Sequence, residues 1–60
     1  MKERGRLLRV SQVAVRLTLS EARVRQMLNQ GIIQGMRLSE RGWRVSEAAL
    51  QEYLDRMAVM

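Results

Sequence analysis

Only Thr18 and Leu19 separate a short run with helical apolar spacing from Ser20, a residue placed to start another helix. A chain that reverses within two residues has few ways to pack, because the helices on either side are forced against each other at a steep angle. Upstream, Val13, Ala14 and Leu17 recur at helical spacing behind Ser11, read as the N-cap, with Val10 ahead of it as a staple. This predicts a first helix over 12–17. Downstream, Ser20 caps a second helix over 21–30. Glu21 suits the positive end of its dipole, and Gly31 supplies a left-handed stop.

After Gly31 the apolar period drops from about 3.6 to about 2. The stretches "IIQGMRL" and "WRV" flank "SERG", which predicts a β-hairpin over 33–45 with Gly42 near its turn. Alternation assigns Met36, Leu38, Trp43 and Val45 to the core, and Arg37 and Arg44 to the outer face. Ser46 and Glu47 open a third helix over 47–57, striped by Leu50, Tyr53, Leu54 and Met57. Residues 1–6 read as a flexible arm, and Ala58 to Met60 as a fraying end. The 60 residues make a single domain. A domain of that size buries only about 60% of the surface its unfolded chain exposes.

Composition excludes several functions. The chain has no Cys and no His, so no disulfide or structural zinc reinforces the core, and no metal cluster, cofactor motif or nucleophile with a base is visible. No catalytic residue is assigned, and an enzyme is not expected. No apolar run reaches the roughly 18 residues of a membrane span. The expectation is a soluble protein of the cytoplasm, in a bacterial or phage-infected cell, associated with the nucleoid.

Charge is segregated along the chain. Residues 1–16 carry Lys2, Arg4, Arg6, Arg9 and Arg16 against Glu3; residues 17–45 carry Arg23, Arg25, Arg37, Arg41 and Arg44 against Glu21 and Glu40. These are net +4 and +3, whereas the last quarter, with Arg56 against Glu47, Glu52 and Asp55, is net −2. Arg is a planar fork that suits phosphate oxygens and guanine edges.

On the second helix, Val24, Met27, Leu28 and Gly31 fall on one face, and Ala22, Arg25, Gln26 and Asn29 on the opposite one, flanked by Glu21 and Arg23. That outward face combines a small residue that permits close approach, a guanidinium and two amides, the side-chain types that read base edges in a major groove. The amides above Ser20 suit a phosphate. For a lone helix, a solvated face is the commoner explanation. The brace of a preceding helix after a two-residue turn favours the helix-turn-helix arrangement. Arg37, Arg41 and Arg44 bracket the hairpin turn and give a second basic surface for an adjacent minor groove or backbone. The candidate DNA-binding residues are therefore Ser20, Glu21, Ala22, Arg23, Arg25, Gln26, Asn29, Arg37, Arg41 and Arg44. Trp43 and Tyr53 read as core residues packing the hairpin on the third helix.

The segments "VSQVAVRLTLSEARVRQMLNQGII", "MRL" and "GWRVSEAALQEYL" resemble the small winged-helix domain shared by the excisionase family and the DNA-binding head of MerR-type regulators. The resemblance covers about Leu8 to Leu54. It rests on Ser20, Val24, Leu28 and Gly31, then on Trp43 to Leu54. It implies a mainly α fold with a small β-hairpin wing, a winged helix-turn-helix, in which helix 21–30 is the recognition helix and 33–45 the wing. Thr18 stands where the family often has Gly, which predicts a left-handed Thr18 or a different turn. The resemblance further implies double-stranded DNA as partner and an excisionase, or recombination directionality factor, of a phage or mobile element. Such a protein bends DNA beside an integrase and binds cooperatively, head to tail. A small MerR-like transcription regulator remains open. So does another class, a protein-interaction module such as an antitoxin or integrase-binding adaptor.

Overall fold

A computed structural model describes residues 6–38 and 42–58. Its elements are β1 (Leu7–Arg9), α1 (Val10–Leu17), α2 (Glu21–Gln30), β2 (Met36–Leu38), β3 (Gly42–Ser46) and α3 (Glu47–Met57). The three strands form one antiparallel sheet in the order β1-β3-β2. The Leu8, Val10, Val13, Ala14, Val24, Met27, Leu28, Ile33, Val45 and Leu50 side chains form one apolar core, with Leu17, Trp43, Ala49 and Tyr53 packed at its edge.

The helix starts are set by different means. Ser20 Oγ accepts from the Arg23 amide at 3.1 Å, and Ser46 Oγ from the Ala49 amide at 3.0 Å. Ser11 does not cap α1, contrary to the sequence reading. The helix begins at Val10 instead of at 12, behind Arg9, whose amide donates to Gln12 Oε1 at 2.9 Å. The reason lies in β1, a strand with no sequence signal, since three residues are too few to show alternation. Leu8 pairs with Val45, and the strand delivers the chain directly into the helix with Val10 already buried. Of the expected arm, residues 1–5 lie outside the described residues. The Arg6 carbonyl accepts from the Glu47 amide at 3.0 Å and so ties the start of β1 to the start of α3.

Both α1 and α2 end on a left-handed residue. Leu19 donates to the Ala14 carbonyl and Thr18 to Val15; Ile32 and Gly31 repeat the pattern on Met27 and Leu28. These paired bonds satisfy the last carbonyls and turn the chain sharply. Thr18 holds φ 59° and ψ 44°, the left-handed Thr18 of the two alternatives. A β-branched residue there is strained by about 1–2 kcal/mol.

The hairpin departs from the expected alternation. Met36 opposes Arg44, Arg37 opposes Trp43, and Leu38 opposes Gly42. Opposed residues share a sheet face, and a one-residue difference in register exchanges the faces. Arg37 therefore lies on the face of Trp43 and Val45, not opposite it. Met36 and Leu38 share the other face with Arg44, at 48% and 36% exposure. On α3 the apolar stripe is shorter than expected: Leu50 is buried and Tyr53 half-buried, while Leu54 and Met57 are exposed.

Gly35 is required by close approach. A Cβ there would lie 2.7 Å from Leu28 Cδ2, 3.1 Å from the Arg44 carbonyl oxygen and 3.3 Å from Val45 Cγ2. Gly35→Ala should lower stability by about 1–3 kcal/mol through overpacking against β3, measured by urea denaturation. Thr18→Gly should do the reverse, raising stability by up to about 1 kcal/mol, because the strain relieved exceeds the backbone entropy that glycine adds to the unfolded chain; thermal denaturation checks it. A lowered Tm would show that the strain at Thr18 is smaller than that entropy.

Candidate nucleic-acid interface

The polar face of α2 is where its amphipathic pattern places it. Val24, Met27 and Leu28 are buried, and Ala22, Arg25, Gln26 and Asn29 are exposed. Two side-chain contacts order this surface. Arg23 Nη1 donates to Gln26 Oε1 at 3.0 Å, and Arg25 Nη2 to Glu21 Oε1 at 3.3 Å. Both are exposed contacts within the helix, weak enough for DNA to replace them.

Two shallow concave surfaces meet along α2. Ser20, Ala22, Arg23, Arg25, Gln26 and Asn29 line one. The other runs between α2 and the sheet: Glu21, Arg25 and Asn29 form its helix wall, and Arg37, Gly42, Trp43 and Arg44 its sheet wall, with Arg9, Val10 and Ser11 at one end. Glu21, Arg25 and Asn29 are spaced four residues apart and so form one ridge. Arg25 and Asn29 belong to both surfaces, which makes them the crest between them.

Nine of the ten candidate residues are described, and all nine line one or both of these surfaces. Arg41 lies outside the described residues. Arg37 has its Cζ 5.5 Å from the Trp43 ring centroid, over the indole. Arg44 is half-buried, and its Nη1 donates to the Trp43 carbonyl at 2.8 Å. Arg9 and Trp43 line the groove although neither was among the sequence candidates. Arg9 was missed because β1 was not foreseen, and Trp43 because its alternation with Val45 pointed only to the core. Arg16, counted in the basic body, is engaged elsewhere, in an ion pair of 3.0 Å with Glu47 that joins α1 to α3.

Among the described residues no cluster of His, Cys, Asp or Glu could hold a metal ion, and no helix is long and apolar enough to cross a membrane.

A family model described as a helix-turn-helix domain matches residues 7–58. The chain belongs to the helix-turn-helix domain family. No curated protein and no solved structure matches it. As a helix-turn-helix domain it consists of α1, the turn at Thr18 to Ser20, and α2, completed by α3 and the three-stranded sheet, a small winged version of the fold. In a helix-turn-helix domain the second helix enters the major groove while the first crosses the backbone, a geometry for sequence-specific DNA binding.

Proposed function

We propose that this protein binds double-stranded DNA with α2 in the major groove and the β2–β3 hairpin on the adjacent backbone, and that it bends DNA as an excisionase of a phage or mobile element. The observation that carries the DNA reading is the crest of Arg25 and Asn29 facing Arg37 and Trp43 across one open groove, with Arg44 at its border. Arg25 and Asn29 supply donors for base edges, with Gln26 beside them, and Ala22 leaves room for the duplex to approach. Arg9, Arg23, Arg37 and Arg44 surround that crest as phosphate contacts, which fix register without reading sequence. Support for the excisionase role comes from the sequence resemblance and from the economy of the site, which offers contact and deformation alone. One α2 reads few base pairs, so copies bind repeated sites cooperatively, head to tail, next to an integrase.

The test begins with fluorescence anisotropy on a random duplex. Four phosphate contacts give a log–log salt slope of about −3.6, so affinity should fall about 150-fold between about 50 and 200 mM salt. Footprinting on the DNA flanking the protein's own gene should then reveal an array of protected repeats beside an attachment site. Repeats over a promoter alone would make the protein a MerR-like regulator instead. No binding at low salt would remove the DNA reading in favour of a protein-interaction role.

On the protected site, Arg25→Ala should weaken binding by about 1–3 kcal/mol and relax preference at particular bases. Arg44→Ala should weaken all duplexes alike and reduce the salt slope by about one. Equal losses on specific and random DNA for Arg25→Ala would rule out base reading by Arg25.

A further inference from the structure

We infer that Trp43 is a positioning residue for DNA contact, its indole holding the Arg37 guanidinium on the sheet wall of the groove that α2 lines from the other side. The inference rests on the DNA-binding reading and deepens it at the hairpin. The β2–β3 register sets Arg37 directly opposite Trp43, so both side chains leave the sheet on one face. The guanidinium carbon lies 5.5 Å from the ring centroid, inside the roughly 6 Å range of a cation–π contact. The ring is itself held. Trp43 is half-buried and its side chain packs against the core.

An arginine on a bare strand would sample many rotamers and lose that freedom on meeting a phosphate. Stacked on a fixed indole, the side chain has given up much of it before binding, which is the advantage of preorganisation. A guanidinium lying over a ring keeps its N–H edge directed outward, the edge a phosphate oxygen needs. An aliphatic residue at position 43 would still give the core an apolar, though smaller, neighbour, but offers no negative ring face. Because Arg37 shares the groove with Arg25 and Asn29, fixing it aligns the hairpin with the recognition helix on one stretch of duplex.

The experiment uses the full chain and a labelled random duplex, titrated over a range of salt by anisotropy, with wild type, R37Q, W43L, W43F and the double variant W43L/R37Q. R37Q should lower affinity about fivefold and the salt slope by about one. W43L should lower it about two- to fivefold while Arg37 is present, and not at all when Gln replaces it. W43F should retain most of the affinity. A second readout needs no DNA: Trp43 is the sole Trp, and its emission should shift in R37Q.

Losses that multiply in the double variant, or an emission spectrum indifferent to R37Q, would overturn the inference. Should W43L fail to fold by circular dichroism, W43F decides, because its weaker ring face leaves a small loss that must vanish in the R37Q background. A loss that persists there overturns the inference. Wild-type protein that ignores the duplex at low salt fails before any substitution is made, and that result brings down the DNA reading with this inference.

Discussion

The pairing of β3 to a strand on each side is the constraint on which the rest of the protein depends. Val45 within it is fully buried, opposite Leu8 of β1, and together with Leu28 and the Arg44 carbonyl it leaves room for Gly35 and for no larger residue. From that one strand the chain gains its central core residue, its attachment to the N-terminal segment, and the platform for Arg37. A domain of this size has little apolar surface to bury, so its net stability is a small difference between large terms. Removing the β1 pairing would expose Val45 and loosen α1 and α3 together, since β1 leads into α1 and β3 into α3.

The second constraint is the turn between α1 and α2. Two helices that close with paired carbonyl bonds and a left-handed residue have their crossing set by backbone geometry as much as by side chains. The buried side of α2 is then fixed by Val24, Met27 and Leu28, and whatever lies opposite must face outward. Arg25 and Asn29 owe their prominence to that elimination. Ser20 serves both ends of the argument, closing the turn and satisfying an amide in the first turn of α2.

Much of this was legible in the sequence, and the exceptions share a cause. The bounds of α2 and α3 were readable because Ser20, Gly31 and Ser46 act locally, through bonds to residues three or four positions away. The polar face of α2 was readable because helical periodicity is regular over ten residues. The start of α1 was not, because β1 is a three-residue strand whose partner lies more than 30 residues away. Alternation within each hairpin strand was visible, but the relative register was not, and that register alone decides whether Arg37 shares a face with Trp43 or with Arg44. Gly35 gave no signal for a similar reason, because the atoms that forbid a side chain there come from α2 and β3.

Two junctions in the chain contain no linker. β1 ends at Arg9 and α1 begins at Val10, and β3 ends at Ser46 where α3 begins at Glu47. The Arg6 carbonyl and the Arg16–Glu47 ion pair tie the same two junctions to each other. The sheet and the first and third helices are thus joined without a hinge, and the bonded turn at Thr18 and Leu19 carries that frame on to α2, so that the hairpin and α2 are held as a gauge. When a rigid gauge meets a flexible rod, the rod conforms. In the proposed complex, a duplex whose groove width differs from that spacing would change its own shape to be held, so base steps that deform easily would be selected even at positions no side chain touches.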